Sequence, residues 1–179
     1  MQTVVRMGLD IAKNAFQVHG VNAQGKVLVR KQLSRGEVRG FFADVPACLV
    51  GLEACAGSHY WARELTALGH DARLMAGQFV AAYRKNGKND ANDAEAICEA
   101  VGRPNMRFVP VKSEEAQAVL TVHRARQLLV AERTALGNQI RGLLGEFGIV
   151  IAAGLAPLRH GLGALVQATR RYRCSRARP

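Results

Sequence analysis

The sequence has no long apolar run. None reaches the ~18 residues that a membrane span requires, and Met1-Gln2-Thr3-Val4-Val5-Arg6 has neither the charged start nor the apolar stretch of a signal peptide. A cytoplasmic protein without a membrane partner is the expectation. Cysteine is scarce: Cys48, Cys55, Cys98 and Cys174 form no CxxC pair, which argues against a zinc site or a disulfide framework and for reduced thiols in the interior. The histidines His19, His59, His70, His123 and His160 make no ligand pair at useful spacing; His59, six residues after Glu53, is the one to watch for a catalytic role. Acids are the rarer charge and none follows Glu146, leaving Arg159, Arg170, Arg171, Arg173, Arg176 and Arg178 unopposed.

What is present is basic and core-forming. Lys and Arg total 25 against 14 acids in 179 residues, a formal charge of +11 and a pI near 10.3. Such an excess suits a polyanion, either nucleic acid or an anionic membrane surface. A hydrophobic content of 49% excludes wholesale disorder.

Periodicity divides the chain. Residues 4–10 read as a buried strand. Residues 14–20 and 26–33 alternate around the turn Asn22-Ala23-Gln24-Gly25, giving a three-stranded antiparallel meander. A short helix over 35–44 precedes a strand over 48–53, a helix from Ser58 to Leu68 ended by Gly69, and a strand from Asp71 to Met75. A helical piece around Phe79 to Tyr83 then leads through a basic loop to a helix from Asp90 to Val101, whose first residue suits the helix dipole. Pro104 and Pro110 bracket an extended stretch, 106–109. Strands in a run of three, then alternating with helices, predict an α/β mixed sheet.

Residues 113–147 differ in kind. Val122, Leu129, Leu136 and Leu143 recur every seven residues, while Arg126 and Arg133 interrupt the companion row of Val119, Ile140 and Phe147. This imperfect heptad seam suits a long helix or helical pair, packed on its own domain or dimerising. The expected division is therefore 1–112, 113–150 and 151–179. After about Ala168 the apolar periodicity stops, and 169–179 reads as neither core nor a well-formed helix. A basic nucleic-acid-binding arm and an out-of-frame extension are the two readings, the second preferred.

Four acids carry the chemistry. Asp10 ends the apolar run from Val4, Glu53 ends another from Cys48, and Asp90 and Asp93 stand three apart at a helix start. Mg²⁺ takes hard oxygen ligands and is usually held by one or two carboxylates plus substrate phosphate. Two such ions ~3.5–4 Å apart can activate a nucleophile and stabilise the leaving oxygen of a phosphodiester. Asp10 and Glu53, on adjacent strands, are expected to meet at the sheet's edge, and Asp90 and Asp93 share a helix face. Each has a plainer explanation: a turn for Asp10, the next helix's dipole for Glu53, an N-cap for Asp90 and a solvated face for Asp93. Together, in a basic chain, they favour metal.

Gly8-Leu9-Asp10-Ile11-Ala12-Lys13, Gly51-Leu52-Glu53-Ala54-Cys55-Ala56-Gly57 and Lys88-Asn89-Asp90-Ala91-Asn92-Asp93-Ala94 resemble the amino-terminal domain of the DEDD insertion-sequence transposases, the insertion sequence one-ten family with its eleven-eleven subgroup. The stretch from Glu132 to Leu144 resembles that family's helical segment, so the resemblance covers roughly residues 4–165. It implies a RuvC-like, ribonuclease H-like domain in which Asp10, Glu53, Asp90 and Asp93 are catalytic and bind Mg²⁺, as one ion or two. It further implies DNA recombination by oligomers guided by a structured bridge RNA, with a second domain whose serine attacks DNA. On this reading the chain is truncated or frameshifted and inactive alone, and Ser175 is not that serine.

Lys13, Arg84, Lys85 and Lys88 flank the acidic motifs and suit phosphates near the metals; Arg124, Arg126, Arg133 and Arg141 suit a nucleic-acid face on the long helix. Solvated surface cations are the plainer reading for each. Tyr60 and Trp61 could stack on a base, yet their spacing to Leu65 and Leu68 favours packing. Two other functions compete: a non-catalytic nucleic-acid-binding module, and an actin-like or sugar-kinase-type nucleotide-binding domain. The latter needs glycine-rich phosphate loops that the sequence does not contain.

Overall fold

The computed structural model describes residues 3–13, 15–84 and 90–176, without the side chains of Asp90 and of residues 170–176. It divides into two compact units, Met1–Ser113 and Glu114–Pro179. The first is a six-stranded mixed sheet flanked by helices, an α/β fold consistent with a RuvC-like domain. Its strands are β1 (Arg6–Ile11), β2 (Ala15–Val21), β3 (Val27–Ser34), β4 (Leu49–Glu53), β5 (Asp71–Met75) and β6 (Phe108–Val109), in the order β3-β2-β1-β4-β5-β6.

β1, β2 and β3 form the antiparallel meander, β4 and β5 run parallel to β1, and β6 returns antiparallel on β5. The β2–β3 turn is held by Asn22, whose side-chain oxygen accepts from the N–H groups of Gln24 (3.1 Å) and Lys26 (2.8 Å). Gly25 takes the left-handed conformation (φ 78°) that closes this turn without a Cβ penalty.

Strand alternation sorts the sheet into two faces. Met7, Leu9, Val50 and Leu52 are fully buried in one apolar core with Phe16, Phe42, Trp61 and Leu65. The helices on that face are α1 (Glu37–Ala43) and α2 (Ser58–Ala67). Trp61 packs edge-on against Phe16 at 5.1 Å, so it is a core residue; Tyr60 beside it is exposed. His70 closes the far end of this core: its Nε2–H donates to the Phe42 carbonyl (2.9 Å), leaving Nδ1 to accept the Cys48 N–H (3.2 Å). Burial pushes the Cys48 thiol up to about 11, so it stays protonated and inert.

The opposite face carries α3 (Gly77–Ala81) and α4 (Asp90–Val101), with a second core of Met75, Val80, Ala96, Ile97, Ala100 and Val101. The helix expected around Phe79 to Tyr83 thus starts two residues earlier, and only Phe108 and Val109 of the extended stretch pair with the sheet.

The second unit comprises α5 (Glu114–Gly145) and α6 (Leu155–Arg176). Gly137 is the buried residue of α5, with Leu158 of α6 packed 3.4 Å from where a Cβ would stand. The expectation that 169–179 forms no regular helix is corrected: α6 is helical through Arg176. Apolar periodicity signals a buried face, but helix formation itself needs only propensity and the absence of breakers. Arg is a good helix former, and Pro157 falls in the first turn, where its missing N–H costs nothing. Among the described residues no helix is long and apolar enough to cross a membrane.

Candidate active site

The site is built by the approach of α4 to β1 and β4. Arg6, Gly8 and Asp10 alternate with Met7 and Leu9, so they share the α4 face of β1; Gly51 and Glu53 share that face on β4. The two glycines let the helix backbone come close. A Cβ on Gly8 would lie 2.2 Å from the Ala94 carbonyl oxygen and 2.5 Å from the Cys98 nitrogen, and one on Gly51 would lie 2.7 Å from Val101 Cβ.

The contacts also fix direction. The Arg6 carbonyl accepts from Cys98 Sγ (3.7 Å) and its guanidinium reaches Glu99 (3.4 Å), whereas Gly8 meets Ala94 and Cys98. The helix therefore runs antiparallel to β1. Two residues further along β1, ~6.6 Å at strand rise, correspond to about four residues back along the helix. That carries Asp10 to the first turn of α4, where Asp93 sits.

Asp10 and Glu53 come to the carboxyl ends of the two central strands, not to a lateral edge of the sheet. β1 and β4 pair in parallel with Leu9 opposite Leu52, so the next residues on both strands are these acids. The Cys55 thiol lies within reach of both; it is exposed, not interior as expected for the thiols, yet partial desolvation pushes its pKa up, and the Glu53 and Asp10 charges push it the same way. Asp93 is buried at 7% exposure. Arg84 links it to Glu53, with Nε 2.5 Å from Asp93 Oδ1 and Nη2 3.7 Å from Glu53 Oε2. Arg84 Nε and Asp93 Oδ1 are both buried and lack hydrogen-bond alignment, so this contact is an ion pair without a directed bond. The other Glu53 oxygen, Oε1, would stand 2.5 Å from a Cβ on Gly77, so a larger residue there would oblige the Glu53 carboxylate to shift.

Asp10, Glu53 and Asp93 are thus gathered at one end of the sheet. The backbone of Asp90 opens α4 in the same place, while its side chain lies outside the described residues. Among the described residues no three Asp, Glu, His or Cys side chains stand close enough together to hold one ion. The cation found between two of these acids is Arg84.

The expected phosphate contacts separate. Lys13 is exposed just beyond β1, Arg84 is committed to the acids, and Lys85 and Lys88 lie outside the described residues. Arg124, Arg126 and Arg133 are exposed on α5. At ~100° per residue Arg126 and Arg133 share one face, beside Val122 and Leu129, and Arg124 points the other way. Arg141 is held within its own unit by Asn138 Oδ1 and the Gly154 carbonyl, so its fork is already occupied. His59 is tied to Lys112, whose N–H lies 3.2 Å from Nδ1 and whose Nζ lies 3.0 Å from Nε2. A neutral imidazole accepts at only one nitrogen, so one of these contacts is made at a time.

Sequence reasoning passed over Gly8, Gly51, Gly77 and Cys55. The signal for the first two was present: a glycine two residues before an acid at the end of a buried strand marks close backbone approach.

A family model described as transposase, DEDD type of insertion sequence IS110, matches residues 7–149. The chain is 61% identical over 145 residues to a probable family 20 transposase of Pseudomonas aeruginosa, covering 81% of this chain and 43% of that protein. It is 43% identical over 159 residues to the transposase for insertion sequence element IS1328 of Yersinia enterocolitica, covering 89% and 48%. To the transposase for insertion sequence element IS1111A of Coxiella burnetii it is 41% identical over 154 residues, covering 86% and 42%. The chain spans less than half the length of these curated relatives.

Proposed function

This chain belongs to the IS110-type DEDD transposase family, and from that membership we propose that residues 1–112 are the metal-dependent catalytic part of an enzyme that transposes DNA. The observation that carries the reading is the gathering of Asp10, Glu53 and Asp93 at the carboxyl ends of β1 and β4 beneath the first turn of α4. Asp90 is the proposed fourth ligand.

Carboxylate oxygens suit a hard divalent ion such as Mg²⁺, which one or two carboxylates and a substrate phosphate usually hold, and Glu53 and Asp93 already draw a cation, Arg84, between them. When bound, one or two such ions would supply charge stabilisation for a phosphodiester under attack and for its leaving oxygen. The chain's own part is positional. β1 and β4 hold Asp10 and Glu53 side by side, Gly77 leaves room for one Glu53 oxygen, and burial of Asp93 limits the water competing for its carboxylate. Lys13, Lys85 and Lys88 are proposed to hold DNA phosphates beside the acids.

The finer reading extends to partners. Val122, Leu129, Leu136 and Leu143 of α5 are 57–69% exposed, and Arg126 and Arg133 lie beside the first two. A second copy of the chain and a structured guide RNA are the proposed partners of this helix. The relatives are more than twice as long as the stretch they share with this chain, and recombination is proposed to draw on their remaining residues as well.

Mn²⁺ binding, followed by the electron paramagnetic resonance of the free ion, tests the metal site. Asp10→Asn and Asp93→Asn are expected to abolish binding with the fold intact by circular dichroism. Undiminished binding in both would overturn the assignment. The exposed arginines of α5 favour a second reading, a non-catalytic nucleic-acid-binding module. It predicts that both variants retain nucleic-acid affinity and that the parent binds no metal.

A further inference from the structure

Resting on the metal reading above, we infer that Arg84 is a built-in counter-ion of the acidic site: it holds Glu53 and Asp93 together when no metal is present and must withdraw for a divalent ion to enter. The argument is one of shared volume. A divalent ion of the Mg²⁺ class sits ~2.0–2.1 Å from each carboxylate oxygen. The Arg84 guanidinium lies 2.5 Å from Asp93 Oδ1 and 3.7 Å from Glu53 Oε2, bridging the two groups. An ion bound to these oxygens and this guanidinium cannot occupy the same space, and two cations that close would repel.

The need for such a group follows from burial. Asp93 is 7% exposed and its Oδ1 is shielded from solvent. A buried carboxylate beside another acid is costly without a compensating charge. Metal can supply that charge only after folding has assembled the site, whereas Arg84 belongs to the chain and supplies it during folding. Its backbone is anchored at the end of α3, where its own N–H bonds the Ala81 carbonyl at 3.3 Å, so only the side chain has to swing aside. Once displaced, the guanidinium remains next to the site and carries a fork matched to phosphate. The residue is thus a positioning residue that couples metal entry to phosphate capture.

Two measurements on the full 179-residue chain test this. In the first, Mn²⁺ affinity is compared between the parent and Arg84→Gln. If the closed arrangement holds about nine-tenths of the molecules, removing it tightens the apparent affinity about tenfold. Unchanged or weaker Mn²⁺ binding in a folded variant overturns the inference, since a residue that merely orients the ligands would lose affinity when removed. In the second, the metal-free melting temperature is measured in a cycle with Glu53→Gln/Asp93→Asn. Arg84→Gln is expected to lower it in the parent background and to leave it unchanged where the acids are already neutral. Equal losses in both backgrounds also overturn the inference. A parent that binds no Mn²⁺ defeats the metal reading and the displacement with it, whereas the melting cycle judges the counter-ion by itself. Should Arg84→Gln not fold, the parent's buried Arg84 Nε–H serves instead: its solvent exchange by nuclear magnetic resonance is expected to accelerate at saturating Mg²⁺, and unaltered protection is the refuting result.

Discussion

Replacing Gly8 by Ala tests the claim that close backbone approach assembles the acidic site. The added methyl would stand 2.2 Å from the Ala94 carbonyl oxygen and 2.5 Å from the Cys98 nitrogen, whereas ordinary contact begins at 3.4 Å. The deficit is roughly an ångström, and the obstacle is helix backbone, which cannot rotate aside as a side chain would. Either α4 lifts from the sheet or β1 sinks into the opposite core, where Met7 and Leu9 are already fully buried. Overpacking of this kind costs about 1–3 kcal/mol, and the backbone obstacle puts Gly8→Ala near the upper end. For a unit of this size that lowers Tm by more than ~10 °C. Asp93 adjoins Ala94, so it moves with the helix, and ligand distances of ~2.0–2.1 Å tolerate little displacement. Mn²⁺ affinity should therefore fall as well. Urea denaturation and Mn²⁺ titration on the same preparation read both effects. Gly40→Ala is the control: its site in α1 has open space, and Ala there should stabilise by ~0.5–1 kcal/mol. A Gly8→Ala protein within ~0.5 kcal/mol of the parent, a typical surface-substitution effect, and with unaltered Mn²⁺ affinity, would refute the reasoning.

Other outcomes follow from the same contacts. Although exposed, Cys55 should be alkylated more slowly than a free thiol near pH 8, because partial desolvation and then the Glu53 and Asp10 charges raise its pKa. Saturating Mg²⁺, by neutralising those charges, should speed the reaction, and a rate indifferent to Mg²⁺ would place the ion elsewhere. Burial, then the Lys112 and Arg63 charges, lower the pKa of His59. The folded state therefore prefers the neutral ring: the contribution is fully present above the unfolded value near 6.5 and is lost as pH falls from there toward the folded value. His59→Gln should flatten that acid-side decline in urea titrations, and an unchanged pH profile would show the ring contributes nothing there. If Arg126 and Arg133 meet phosphates, each Arg→Ala change should reduce the log–log salt slope of duplex binding by about 0.9. Arg141→Ala should instead act mainly on the melting of its own unit, having intramolecular partners already.

The family and the type of fold were legible in the sequence because their signals are local. Period-two alternation marked β2 and β3 to within a residue, and Gly69 ended α2 where a left-handed residue is wanted, with φ 93°. Apolar runs ending in acid marked β1 and β4. Over 151–179, where the sequence suggests a linker and basic tail, α6 runs from Leu155 to Arg176, because a lapse in apolar periodicity is not a lapse in helix and Arg-rich sequence without breakers continues one unaided.

By itself, the sequence determined which residues can be strands and helices, which positions carry the acids, and that the chain suits a polyanion. Those properties depend on neighbours a few residues apart, and side-chain chemistry and periodicity report them directly. Only the tertiary structure decided that α4 lies antiparallel on β1 through Gly8, that Asp10 and Glu53 close the two central strands together, and that Arg84 stands between Glu53 and Asp93. These facts join residues as far as 93 positions apart, as in the contact between Arg6 and Glu99. They rest on which backbone approaches Gly8 and on which buried charge finds its counterpart; a local glycine signals close approach but does not name the partner.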